Sequence, residues 1–255
     1  MDRIRSVPVL EENELMFIRR HRSASMDLKF GTLYLSSESS VKNWNFIARI
    51  HAGRRDLECV ERRTVDFFSD WKRTPCLKVT PASRPDGIAR YLESARWNVG
   101  ARLVHMVHDG PLPKRGPEEI RVRRCKNAED IARFSDVQSR SFGVPDWRRW
   151  VEKVNLMNAP ERNQIFYLAE VNGEPAGLSL LLNWKRVGGL YAVATLEAMR
   201  GRGVAAALVR LALQDSRKLG NEVTVLNTVS GGPASTVFSR LGFHAVFESL
   251  FYVKS

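Results

Sequence analysis

The segment Tyr191–Leu211 reads YAVATLEAMRGRGVAAALVRL, and its residue types suit holding an anion against the main chain. A strand ending near Thr195 leads through a short loop into Arg200-Gly201-Arg202-Gly203, which opens a helix. Glycine lets a peptide N–H approach a ligand with no Cβ in the way. The first turn of a helix leaves its N–H donors without internal partners, and those donors with the helix dipole favour negative charge. Arg200 and Arg202 add full positive charges, and Ala205, Ala206 and Ala207 keep the approach open. The chemistry expected of Arg200, Gly201, Arg202, Gly203, Val204 and Ala205 is the grip of a pyrophosphate. Two other phosphate patterns are excluded. The third glycine of G-x-G-x-x-G is replaced by Ala206, and no Gly-Lys-Ser/Thr follows a glycine loop.

Such a turn must be carried by a strand and a helix, and the second half of the chain supplies them. Glu119–Arg124 alternates as a strand. Asn127 caps a helix with acids in its first turn and Ile131, Phe134 and Val137 on one side. Gly143–Pro145 breaks that helix, and Trp147–Met157 forms another. Gln164–Val171 and Ala176–Asn183 are strands joined by Asn172-Gly173, a hairpin signal. Gly189–Thr195 is the next strand. Gly203–Lys218 is a helix with Val204, Leu208, Leu211 and Ala212 on one face, ended at Gly220. Glu222–Thr228 is a strand, Pro233–Leu241 a short helix, and Phe243–Val253 one or two strands. This is a mixed α/β pattern. In the first half, strands are expected at Thr32–Leu35, Asn45–Arg49, Cys76–Thr80 and Ala101–His108, with helices at Glu58–Trp71 and Asp86–Trp97. Their order echoes the end of the second half and suggests a degenerate repeat. Asp109–Pro117 (DGPLPKRGP) has three prolines and two glycines in nine residues and reads as a linker. The expected domains are 1–116 and 117–255.

Composition narrows the class. The chain has 255 residues, 44% of them hydrophobic, which suits a folded protein rather than a disordered one. No apolar run approaches the roughly 20 residues of a membrane helix. Glu11, Glu12 and Glu14 interrupt any apolar core of a leader, so a cytoplasmic location is expected. Cys59, Cys76 and Cys125 form no C-x-x-C pair, and His105 and His108 sit in a strand pattern, so no metal site is expected. The net charge of +12 is spread: residues 1–116 carry 21 Lys and Arg against 14 Asp and Glu, and residues 117–255 carry 19 against 14. A diffuse positive field favours anionic ligands. No clustered basic-aromatic motif points to nucleic acid.

The run Arg-Gly-Arg-Gly-Val-Ala resembles the R-x-x-G-x-G/A signature of the GCN5-related N-acetyltransferase (GNAT) superfamily. Ala234–Phe243 (ASTVFSRLGF) resembles the A-x-x-x-Y-x-x-x-G-F block of the same family, and the Asn172-Gly173 hairpin matches its meander. The resemblance covers about residues 118–255. It implies a GNAT acyl-CoA acyltransferase fold, a mixed and mostly antiparallel sheet flanked by helices, with the N-terminal half a degenerate GNAT-like copy in tandem. It implies acetyl-CoA as cofactor and a small-molecule or peptide amine as acceptor. Val193, Ala194 and Thr195 would hold pantetheine through their main chain, Arg200 to Ala205 would hold the pyrophosphate, and Asn227 and Phe238 would border the pantetheine arm.

The chain departs from the family where the leaving thiolate takes its proton. The tyrosine found there in many members is Phe238, and an asparagine seven residues earlier is Gly231. A phenyl ring has no proton to give. Another group or water serves as the acid, or the chain binds coenzyme A without turnover. Tyr191, Glu197, Ser230 and Ser235 are the side chains considered for acid, base or thiol contact. A third reading is a tandem aminoacyl transferase that takes its donor from charged tRNA. The intact pyrophosphate signature argues against it.

Overall fold

A computed structural model describes residues 3–21, 23–39 and 44–254. In chain order the elements are α1 (Val7–His21), β1 (Ala24–Leu28), β2 (Gly31–Leu35), β3 (Phe46–Ala48), α2 (Leu57–Asp70), β4 (Cys76–Val79), α3 (Ile88–Ser94) and β5 (Asn98–His108). There follow β6 (Ile120–Arg124), α4 (Ala128–Ser141), α5 (Arg148–Asn158), β7 (Gln164–Val171), β8 (Glu174–Trp184), β9 (Val187–Thr195), α6 (Val204–Lys218), β10 (Val223–Val229), α7 (Pro233–Arg240) and β11 (His244–Val253). They form two compact units. The N-terminal unit comprises Ser6–Met106, Asn227–Thr236 and Ala245–Ser255, and the C-terminal unit comprises Val107–Leu226 and Val237–His244 with Met1–Arg5.

In the C-terminal unit, β6, β7, β8 and β9 are successive antiparallel neighbours, and β10 lies parallel beside β9. Local chemistry explains the elements. Asn127 accepts from Asp130 N at 2.9 Å and caps α4, and Ile131, Phe134 and Val137 turn inward. Phe134 meets Phe166 of β7 edge-on at 5.1 Å. Asn172 and Gly173 both have positive φ, 51° and 87°, as a two-residue turn between twisted strands requires. Val204, Leu208 and Ala212 are buried on one side of α6, which packs on β8 and β9.

The N-terminal unit has the order β1-β2-β3-β4-β11-β5. The last strand of the chain therefore lies between β4 and β5, antiparallel to β4 over Leu250–Val253. The core gathers Leu33, Ile47, Phe68, Leu77, Leu92, Trp97 and Tyr252. Both units share one run of elements. β1, β2 and β3 form an antiparallel meander, α2 follows, and β4 lies parallel to β3. The meander of β7, β8 and β9, then α6, then β10 parallel to β9, repeats it.

Two elements, α1 and β1, were not expected from the sequence. The inward face of α1 buries Glu11, Asn13 and Glu14 beside Leu10, Leu15, Phe17 and Ile18, so no clean apolar stripe exists to be read. The polar groups are met from far along the chain. Fully buried Lys78 of β4 donates to Glu14 Oε2 and lies 3.7 Å from Glu11 Oε1. His105 of β5 pairs its Nε2 with Ser249 Oγ and lies 3.7 Å from Glu14 Oε2. Its ring stacks on Phe247 at 4.1 Å. Burial pushes the His105 pKa down to about 4, partly opposed by Glu14, and burial also raises that of Glu11.

Candidate functional site

The site is built on β9 and the turn that follows it. Against β8, Leu180 pairs with Tyr191 and Leu178 with Ala194, so β9 sets two residues, Ala192 and Val193, against Ser179, one more than the register needs. The bulge places Ala192 at φ 52°, a conformation costing about 1–2 kcal/mol for an L-residue. On its other side β9 pairs with β10 at Val187, Gly188 and Gly189. From Leu190 onward it has no β10 partner among the described residues. Burial follows: Val187–Tyr191 are buried, whereas Ala192, Val193, Ala194 and Thr195 are half-buried. From Ala192 to Thr195 the main chain has no β10 partner on that edge among the described residues.

After Thr195, Leu196 N donates to Ala176 O at 2.9 Å, and Arg200 N to Glu197 O at 3.2 Å. Gly201 and Gly203 then take φ of 76° and 88°, in the region glycine alone enters freely. The helix resumes its own bonding with Ala207 N to Gly203 O at 3.1 Å. Between those bonds, no main-chain N–H from Gly201 to Ala206 has an acceptor among the described residues, and no side chain caps α6. Six donors at and just before a helix start are thus uncommitted among the described residues, with the exposed Arg200 and Arg202 beside them. A Cβ placed on Gly203 would lie 3.3 Å from Pro117 Cδ.

The axis of α6 is fixed from beneath. Arg124 of β6 grips buried Asp215 in a two-pronged pair, Nε to Oδ2 at 2.7 Å and Nη2 to Oδ1 at 2.5 Å. Tyr167 donates to the same carboxylate at 2.9 Å. Burial and Asp215 together raise the Tyr167 phenol well above its ordinary range. At the far end, Asn221 N donates to Ser216 O and Gly220 N to Arg217 O, a closure that consumes orphan carbonyls.

The structure brings Val193, Ala194, Thr195 and Arg200–Ala205 into this one stretch of the C-terminal unit. Tyr191 is buried immediately before the bulge. Glu197 is exposed and lines a cleft of about 410 Å³ with Arg140, Glu174, Pro175 and Met199. Phe238, on α7, is buried with its ring edge-on to Phe243 at 5.9 Å. Asn227, Ser230 and Ser235 belong to the N-terminal unit. There Asn227 is half-buried on β10. Ser230 donates to Glu248, whose other oxygen accepts from Arg102 at 3.0 Å. The Ser230 hydrogen bond, followed by Arg102, lowers the Glu248 pKa. Ser235 donates to Gly232 O at 2.6 Å. Both serine hydroxyls are thus committed within their own unit. The bulge at Ala192 was missed, because alanine carries no local preference for positive φ.

Residues 130–243 match the model of the Acetyltransferase (GNAT) family. No curated protein matches the chain. Among solved structures, the chain is similar to a GCN5-related N-acetyltransferase from Kribbella flavida, at 14% identity over 95% of this chain and 93% of that one, with TM-score 0.72. It is similar to another from Sphaerobacter thermophilus at 17% identity, over 90% and 82% of the two chains, with TM-score 0.66. A tandem GNAT protein from the clavulanic acid biosynthesis pathway aligns at 14% identity over 88% and 78%, with TM-score 0.63. At these identities the likeness is one of fold. Among the described residues no helix is long and apolar enough to cross a membrane. A glycine turn on the expected strand and helix, a family-model match across it at residues 130–243 and a fold shared with solved acetyltransferases of that family are what the chain has in common with GNAT proteins.

Proposed function

We propose that the chain is an N-acetyltransferase that moves an acetyl group from acetyl-CoA to a primary amine of a small molecule or peptide. The observation that carries this reading is the row of six uncommitted N–H groups from Gly201 to Ala206, flanked by Arg200 and Arg202. Donors of that number, with no side chain filling their place, suit a pyrophosphate. The edge of β9 from Ala192 to Thr195, beyond its β10 partners, offers main-chain groups to an amide-bearing arm such as pantetheine. Coenzyme A supplies the acyl group as an activated thioester. The chain's own share is binding and orientation, which brings a neutral amine within reach of the acyl carbon, and N–H polarisation of the carbonyl beside the bulge.

Proton handling falls to groups other than Phe238. Tyr191, at the start of the bulge, is the side chain we place nearest the reacting atoms, and Glu197 is one of two carboxylates, with Glu174, that line the cleft of Arg140 and Met199. General acid help is worth about two to four powers of ten, so an enzyme without the usual tyrosine would be slow rather than inert. The second reading, a coenzyme A-binding protein without turnover, is favoured by the buried, apolar setting of Phe238. Calorimetric titration with acetyl-CoA, followed by thiol release assays across a panel of amines, separates the two. Binding with thiol release supports the enzyme. Binding without release for every amine supports the carrier. No binding, or binding indifferent to Arg202→Glu, ends both.

A further inference from the structure

Residues 110–117 run along α6. Arg217 donates from Nη2 to Gly110 O, and Arg210 from Nη1 to Pro113 O. Nearer the helix start, a Cβ on Gly116 would lie 3.7 Å from Ala207 Cβ and 4.0 Å from Gly203 O. Pro117 closes against Gly203 itself. Positions 203, 207, 210 and 217 fall on one helix face at about 100° per residue. The segment therefore follows α6 from its last turn to its first and ends beside the uncommitted N–H groups. Pro111, Pro113 and Pro117 restrict its backbone and remove donors that would otherwise need partners. Two guanidinium–carbonyl bonds pin it.

We infer that residues 110–117 are a strap that sets the conformation of the phosphate-gripping turn, with Arg210 and Arg217 as its positioning residues. The inference rests on the coenzyme A reading of that turn. Gly201 and Gly203 have no stiffness of their own, and a turn left to wander must be ordered by the ligand at a cost in affinity. Pro117 against Gly203 removes that freedom in advance. The two arginines donate to main-chain carbonyls of the strap. They act through the strap.

The test is calorimetry on the full chain with two probes, coenzyme A and pantetheine, which lacks the phosphates. The Arg210→Ala/Arg217→Ala chain should bind coenzyme A about 3- to 10-fold more weakly, with pantetheine binding unchanged. Arg210→Lys/Arg217→Lys, which keeps a cationic donor for each carbonyl, should stay within about twofold of the native chain. A native chain that binds no coenzyme A overturns the reading of the site and the strap with it. A native chain that binds while the alanine chain binds equally well overturns the strap alone. So does equal weakening toward both probes, the mark of a general structural role.

Discussion

The same topological point occurs twice in this molecule, and the two units treat it in opposite ways. In the C-terminal unit the chain leaves β9, and α6 starts at Gly203 with no side-chain cap and a row of free donors. In the N-terminal unit the chain leaves β3 and reads Ile50-His51-Ala52-Gly53-Arg54-Arg55-Asp56 into α2. There Asp56 turns its carboxylate back onto Gly53 N at 3.2 Å, and Ala52 N donates to Arg84 O at 3.2 Å. A Cβ on Gly53 would lie 2.7 Å from that carboxylate oxygen. A carboxylate of the chain thus meets the Gly53 N–H, ahead of the short 3-10 turn Arg54–Asp56 that leads into α2, whereas no group of the C-terminal unit meets the N–H groups of Gly201 to Ala206 among the described residues. The same inward use of charge recurs where Lys78, Glu14 and His105 pair inside the N-terminal unit. Topology permits an anion site at both places. Unsatisfied N–H groups distinguish one from the other.

The largest break in this contrast comes from the inward charges. Lys78→Met leaves the Glu14 and Glu11 carboxylates buried without their cation, which costs about 3–5 kcal/mol. Urea unfolding should show that loss, and a loss under about 1 kcal/mol would mean that the cluster is hydrated rather than sealed. Next in size is acid sensitivity. His105 titrates near 4 in the folded chain against an ordinary 6.5, so the unfolded chain binds the proton first. Its contribution is fully present above pH 6.5 and is lost as pH falls from 6.5 to about 4, roughly 3 kcal/mol in all. Glu11, held above its ordinary range by burial, acts with the opposite sign. The measurement is therefore the difference in unfolding free energy between the native chain and His105→Asn across that range. A flat difference would refute the assignment.

Where sequence reading worked, local chemistry and tertiary context agreed. Asn127 with its acids, Asn172-Gly173, and the 204–208–212 stripe each specify an element within a few residues, and each stands where expected. The glycine turn after Thr195 was legible because two glycines at that spacing state a need for positive φ directly. Three features were not. The α1 helix hides because Glu11 and Glu14 find Lys78 more than sixty residues away. The place of β11 between β4 and β5 hides because strands of similar pattern do not announce their neighbours. The Ala192 bulge hides because register against β8, not residue type, imposes its φ.

Gly203→Ala sharpens the contrast from the open side. Alanine at φ 88° costs about 1–2 kcal/mol, and its methyl would press on Pro117. The turn should shift rather than the fold collapse. Coenzyme A affinity should fall about tenfold or more, with a modest drop in thermal midpoint. Unchanged affinity would mean that the left-handed turn is not what presents the donors.

The smallest effect tests the closed side. Asp56→Ala removes the carboxylate from Gly53 N, and because that N–H is exposed, water can replace the lost partner. The expected loss is about 0.5–1 kcal/mol, within the range for an N-terminal cap. The native chain should bind one coenzyme A, and the variant should still bind one, because Ala52 N remains committed to Arg84 and Gly53 sits at φ −75° instead of in the left-handed turn that exposes the donors of α6. Two coenzyme A molecules on the native chain, counted by calorimetry, would show that Asp56 does not close the N-terminal helix start, and the division of labour between the units would fail.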